Sequence, residues 1–155
     1  MESKKAPFRA GSSVLYTPIG WVRGAPQQVP PEGWATVRSE IATHAAFEPA
    51  IRGLDGYSHI WVVFALDGVD ERGRATLSQR PPGVPSDVGV FALRTQARPN
   101  PIGIAVVRLV SVDGTTLHVE GLDAFDGTPV LDLKPYIPYY DSVPDARVPA
   151  WIGHP

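Results

Sequence analysis

The chain contains no cysteine. Disulfides, thiolate zinc sites and cysteine nucleophiles are therefore excluded at the outset. It also lacks an excess of charge of either sign. Fourteen lysines and arginines face sixteen aspartates and glutamates, for a formal net charge of −2. No global basic field attracts nucleic acid, so such a partner would need a local basic patch. Long apolar runs are missing as well, and none approaches the length of a membrane span. The opening MESKKAPFRAGSSV carries two lysines but no apolar region, so no signal peptide is expected. These absences predict a soluble, cytoplasmic protein with no membrane partner.

Several catalytic patterns are absent too. There is no Gly-x-Gly-x-x-Gly after a strand and no Gly-x-x-x-x-Gly-Lys, which argues against a Rossmann-type nucleotide site. No Gly-x-Ser-x-Gly elbow supports a serine hydrolase. The histidines, His44, His59, His118 and His154, show no metal-ligand spacing, so no metal is expected. His59 sits inside an apolar strand, where a hydrogen-bonded core or rim position is the default. His118 alternates with Leu117 and Val119 and is expected to face solvent.

What the chain has in excess is turn-formers. Seventeen prolines and fifteen glycines make up about a fifth of its 155 residues, against a usual share of roughly 12%. Both residues penalise helix interiors, so long helices and coiled coils are excluded. The glycines have no period of three, which excludes collagen. Fourteen aromatic residues, with abundant Val and Ile, argue for a packed core rather than disorder.

The pattern predicts short strands. Residues 14–22 (VLYTPIGWV) read as an edge or bent strand, because of Pro18. Residues 24–33 form a proline-rich loop. Residues 35–43 alternate, with Val37 and Ile41 on one phase and Arg38 and Glu40 on the other, as in a half-buried strand. A short helix over 45–52 is interrupted at Pro49. The run at 57–66 (YSHIWVVFAL) is flanked by Asp-Gly pairs and reads as a buried strand. A long polar loop covers 67–87, and a short strand 88–93. Strands at 104–112 and 115–119 are joined by Asp113-Gly114, a hairpin link in which both residues take φ > 0. A last strand covers 130–133. The fold class expected is all-β: a single small β-barrel with long Pro/Gly-rich loops and little helix. Residues 1–12 are expected to be frayed, 13–146 to form the barrel, and 147–155 an irregular tail.

Two segments concentrate unusual residues. LRTQARPNPIG, at 93–103, places two arginines, an asparagine and two prolines between apolar strands. Proline makes this backbone rigid and stops a sheet. It suits either a ligand-holding loop or a structural crossover whose arginines pair with carboxylates. Residues 121–136 (GLDAFDGTPVLDLKPY) place Asp123, Asp126 and Asp132 in a partly apolar stretch. Asp126, beside glycine, is turn chemistry. Asp123 and Asp132 suit ribose hydroxyls or an ammonium group equally with a structural role.

These two segments resemble the signatures of the TsaA/TrmO-like family. GVFALRT at 89–95, followed by RPNPIG at 98–103, is similar to the first signature. DGTPVLDLKPYIP at 126–138 is similar to the second. Ile19-Gly20, Arg52-Gly53-Leu54, Ser58-His59-Ile60-Trp61, Arg80-Pro81-Pro82 and Pro144-Asp145-Ala146 also fit in order. Leu93 replaces the usual threonine, Asp67 stands where some members have histidine, and well-studied members continue into a further C-terminal domain.

The resemblance implies a β-barrel that dimerises and binds S-adenosylmethionine. The activity it implies is N6-methylation of threonylcarbamoyl-adenosine beside the tRNA anticodon. The alternative is a non-catalytic S-adenosylmethionine-binding barrel acting as a sensor or partner-binding module. The cofactor contacts it implies are Gln28, Val29, Pro30, Asp67, Gly68, Arg94, Ile104, Gly121, Leu122, Asp123 and Ala124. Substrate contacts are assigned to Arg98, Asn100, Lys134 and Tyr136. Arg94 is expected to face the cofactor, and Arg98 the RNA or the carboxylate of the modified base. Arg72, Arg74 and Arg80 join Lys134 and Tyr136 as a local RNA surface, or else lie in a solvated loop. No general base is named by the sequence.

Overall fold

The computed structural model describes residues 13–152. The frayed segment expected at 1–12 lies outside the described residues, as do 153–155 of the tail. Six strands close an antiparallel barrel: β1 (Gly20–Arg23), β2 (Arg38–Thr43), β3 (His59–Ala65), β6 (Ile102–Asp113), β7 (Thr116–Glu120) and β8 (Pro129–Pro135). Their order around the barrel is β1-β2-β7-β6-β3-β8. Two further strands, β4 (Ser78–Gln79) and β5 (Val88–Gly89), pair with each other outside it. The helices α1 (Glu48–Ile51), α2 (Glu71–Arg74) and α3 (Pro138–Asp141) have four residues each. The expected mainly-β barrel with little helix is the observed fold. Among the described residues, no helix is long and apolar enough to cross a membrane.

The core follows from period-two alternation. β3 buries Ile60, Val62 and Phe64 and turns His59, Trp61, Val63 and Ala65 outward. Val22, Ile41, Val107, Leu109, Leu117, Val119 and Val130 fill the interior from the other strands. Outside, charge binds neighbouring strands. Glu120 takes Arg38 at 3.0 Å from β2 and Arg108 at 2.8 Å from β6. Glu40 takes Arg23 at 2.9 Å, with His118 at 3.6 Å. A different outer face is apolar: Ile102, Ile104 and Val106 on β6 lie opposite Ala65, Val63 and Trp61 on β3.

Five local expectations are corrected. The first strand is Gly20–Arg23, not 14–22, because residues 13–18 join no strand ladder among the described residues. Val130 O accepts from the Ile19 N–H at 2.8 Å, and only two residue pairs then join β1 to β8. The link between β6 and β7 is Gly114-Thr115, since Asp113 already pairs with Thr116. Gly114 alone takes positive φ (56°), at the first turn position as in a II′ hairpin. Pro49 does not interrupt a helix. It occupies the first turn of α1, where its missing N–H costs nothing. The strand expected at 88–93 is cut to two residues, followed by a 3₁₀ turn over Val90–Ala92. The polar stretch at 67–87 also contains α2 and β4. The N–H of Gly73 donates to the Asp70 carboxylate at 2.8 Å and caps α2.

Candidate functional site

A cleft opens beyond the Ala65 end of β3. It has two adjoining lobes that share Phe64, Leu66, Gln96 and Asp123. The larger, of about 360 Å³, is walled by Val29, Trp34, Asp67, Val69, Phe125 and Thr128 among others. The smaller, of about 130 Å³, adds Arg94, Thr95, Arg98, Gly103 and Ile104. The larger lobe alone falls in the usual range for small-molecule sites, about 300–1,000 Å³.

Each wall has a local cause. The proline-rich loop brings Trp34 onto Phe125, with ring centroids 5.6 Å apart. After β7, Gly121 takes φ 92°, a conformation open to glycine, and its N–H donates to Val37 O at 2.9 Å. The chain then threads Leu122 into the core, turns Asp123 to the cleft, and packs Ala124 inward again. Asp123 is thus pinned between two buried neighbours. Burial by the cleft walls pushes its carboxyl above the ordinary carboxylate range, against the opposing pull of its own backbone N–H and of Arg94.

The first signature segment folds through its own side chains. One nitrogen of Arg98, Nη2, donates to Val90 O at 2.7 Å and Leu93 O at 2.6 Å. Arg98 Nε is buried without a partner. The guanidinium therefore clamps the 3₁₀ turn and the residue just before Arg94. Arg94 in turn donates from Nη2 to Ile104 O at 3.0 Å, which sets it across the smaller lobe. Both arginines serve the backbone, and neither is paired with a carboxylate among the described residues.

Of the expected cofactor residues, Val29, Asp67, Gly68, Arg94, Ile104, Asp123 and Ala124 line this cleft. Gln28 and Pro30 flank Val29 but line neither lobe. Gly121 and Leu122 act from behind, as the turn and the anchor that place Asp123. Of the expected substrate residues, Arg98 lines the smaller lobe. Asn100 lies in the adjacent turn, where its carbonyl accepts from Ile102 N–H at 2.8 Å.

Lys134 and Tyr136 are elsewhere. Tyr136 N–H donates to His59 O at 3.1 Å, at the opposite end of β3, roughly 20 Å away for seven residues. Lys134 pairs with Asp132 at 2.7 Å, and Tyr136 packs by Trp61 with centroids 6.0 Å apart. Arg80 pairs with Asp87 at 3.1 Å, and Arg72 and Arg74 lie exposed on α2. His59 faces outward at the rim, and its Nδ1 is 3.0 Å from Ser58 Oγ.

The wall residues Trp34, Phe64, Leu66, Gln96 and Phe125 were not singled out by sequence. Gln96 lies between the two parts of the first signature. The aromatic walls carry no signal beyond hydrophobicity. A separate cavity of about 420 Å³ lies near the β1–β8 seam, lined by Thr43, Ile51, Arg52, Tyr57 and Asp132 among others, and none of the cofactor residues reaches it. Among the described residues no cluster of three or more His, Asp or Glu is placed to hold a metal.

Residues 14–142 match the family described as tRNA-methyltransferase O N-terminal domain. A tRNA (adenine(37)-N6)-methyltransferase of Escherichia coli K12 is 46% identical over 104 residues, covering 63% of this chain and 43% of that protein. An S-adenosyl-L-methionine-binding protein of Archaeoglobus fulgidus is 35% identical over 134 residues, covering 84% of this chain and 94% of that one. The crystal structure of TrmO from Pseudomonas aeruginosa superposes with a TM-score of 0.72 at 34% identity, covering 88% of this chain and 61% of that one. The chain thus spans less than half the length of the E. coli enzyme it matches.

Proposed function

Because the chain belongs to the tRNA-methyltransferase O N-terminal domain family, we propose that it is an S-adenosylmethionine-dependent methyltransferase acting on N6 of a threonylcarbamoyl-adenosine beside the tRNA anticodon. The observation that carries this reading is the two-lobed cleft. It gathers Val29, Asp67, Gly68, Arg94, Ile104, Asp123 and Ala124 from segments far apart in sequence. Its chemistry fits the cofactor. Trp34, Phe64, Leu66 and Phe125 offer apolar and aromatic walls for an adenine, and the carboxylates of Asp67 and Asp123 suit ribose hydroxyls or an ammonium group. Arg98 lines the smaller lobe, where its guanidinium charge suits a carboxylate.

When bound, S-adenosylmethionine supplies a methyl group already activated on a sulfonium. The residues of the chain then need only bind, orient and exclude water. Alignment of this kind contributes roughly 7–11 kcal/mol. The clamp of Arg98 on Val90 and Leu93 and the bond from Arg94 to Ile104 keep the smaller lobe in one shape. Lys134, Tyr136 and Asn100 remain the proposed contacts to RNA, and a tRNA substrate implies a cytoplasmic location. The apolar outer face of β3 and β6 supports a homodimer, since contiguous exposed apolar area marks an interface. It begins at Ile102 and includes Ile104, whose carbonyl holds Arg94, so a partner would abut the cleft.

A second reading, a cofactor-binding barrel without catalysis, is favoured by the A. fulgidus relative, which is covered almost end to end and is named only for binding. One experiment separates the two. Calorimetric titration with S-adenosylmethionine is followed by incubation with labelled methyl donor and tRNA from a strain lacking the modification. Saturable heat with label at the modified adenosine supports the enzyme. Heat without label supports the binding module, and a flat trace from folded protein overturns both.

A further inference from the structure

We propose that Asp123 is the proton acceptor of the methyl-transfer step, an inference that rests on the methyltransferase reading above. The N6 of a carbamoylated adenosine is a weak nucleophile that carries one hydrogen, so attack requires a base. The cleft offers few. The charged groups that line it are Asp67 in the larger lobe, Arg94 and Arg98 in the smaller, and Asp123 in both. Among the described residues no histidine or lysine lines either lobe. Arginine stays protonated and cannot accept, and Thr95 and Gln96 are not bases. The choice is between two carboxylates.

Position decides between them. Asp67 reaches only the larger lobe. Asp123 stands where the lobes meet, which is where a donor in one and an acceptor in the other would come together. Leu122 and Ala124, buried on either side, fix its backbone, so its carboxylate is held with little freedom to lose. Its partial burial also raises its affinity for a proton, with Arg94 opposing. A base shifted toward the working pH is the better catalyst by the Brønsted relation.

The step balances without a further reactant. The N6–H bond breaks and its proton passes to an Asp123 Oδ. The freed electron pair of N6 forms the bond to the methyl carbon, and the carbon–sulfur pair stays with sulfur as a neutral thioether. Asp123 then releases its proton to solvent through the open cleft.

The test uses Asp123→Asn and Asp123→Glu in the full chain, against wild type. Four quantities are read: S-adenosylmethionine affinity by calorimetry, the single-turnover rate at saturating cofactor, its pH profile, and the ¹³C titration of the Asp123 carboxyl. The expected result for Asn is a rate at saturating cofactor lowered about 10²–10⁴-fold, beyond any change in cofactor affinity, and loss of the acid limb of the profile. Asp123→Glu, which keeps the carboxylate, recovers part of the rate. In wild type the carboxyl titrates above the ordinary carboxylate range. The proposal is overturned if Asn weakens the cofactor but leaves the saturated rate intact, if the acid limb survives in Asn, or if the carboxyl titrates in or below the ordinary range. Wild type that binds cofactor yet transfers no methyl overturns the methyltransferase reading, and the base with it. Active wild type with an equally active Asn variant overturns the base alone.

Discussion

The ring of Phe64 covers Gly103, its cross-strand partner on β6. A Cβ at position 103 would overlap three atoms of that ring. Phe64 is also the shared wall of both lobes of the cleft. The glycine of the first signature is therefore a packing requirement. It lets an aromatic ring lie flat where core and ligand site meet.

Gly103→Ala should displace this ring. Overpacking of this kind costs about 1–3 kcal/mol, read as a lower midpoint in urea unfolding. Cofactor affinity should fall by at least about tenfold, or 1.4 kcal/mol, because the wall moves. Gly56→Ala is the control, since a Cβ there meets nothing within 4 Å. Equal stability and affinity in the two variants would refute the packing role.

The two signature arginines should separate by readout. Arg98→Ala removes a charged donor from two carbonyls, an interaction of about 1.5–3 kcal/mol. Amide exchange in the segment 90–93 should accelerate and thermal stability should fall. Arg94→Ala should leave that exchange unchanged and weaken cofactor binding more than Arg98→Ala does. The reverse order of affinities would show that Arg98 is the principal ligand contact.

Acid should loosen the outer ion pairs. Arg108 and Arg38 hold the Glu120 carboxyl below its ordinary value of 4.5, and Arg23 does the same for Glu40. A carboxyl lowered in the folded state contributes stability that is complete above the unfolded value and lost as pH falls through the folded one. Stability should therefore decline below about pH 4.5. Glu120→Gln should flatten part of that decline, and 1 M salt should mimic it, because exposed pairs are screened. An unchanged acid limb in Glu120→Gln would remove this account.

Light scattering on a sizing column should return twice the chain mass. Val106→Asp places a charge on the apolar outer face opposite Trp61 and should give a monomer with an unchanged fold by circular dichroism. A dimer that survives this change uses another surface.

The residues that spoke clearly in sequence are those whose role is local. Alternation at 35–43 and the apolar run at 57–66 predicted strands, which are found at Arg38–Thr43 and His59–Ala65. The excess of proline and glycine predicted loops and turns, and the barrel followed from them. What stayed hidden was set by distant partners. Nothing near residue 14 reveals that pairing starts only at Gly20, because the decision belongs to Val130 on the last strand. Nothing in GVFALRT reveals a 3₁₀ turn, because Arg98 imposes it from several residues away. That Arg94 and Asp123 share one cleft was legible only through the family resemblance. The aromatic walls of that cleft were indistinguishable in sequence from ordinary core.

The strand order also bears on how the chain comes to be folded. β1 leaves the ribosome early, yet the strand that closes the barrel against it, β8, is made more than a hundred residues later. β2 likewise waits for β7, and β3 for both β6 and β8. Of the barrel neighbours, β1–β2, β3–β6 and β6–β7 are successive barrel strands, and β3 meets β6 only after the excursion that carries β4 and β5. Non-local pairing of this kind folds slowly and leaves strand edges unpaired meanwhile. Until β8 is made the sheet stays open and incomplete, and the cleft wall at Thr128 is the last of its lining to emerge.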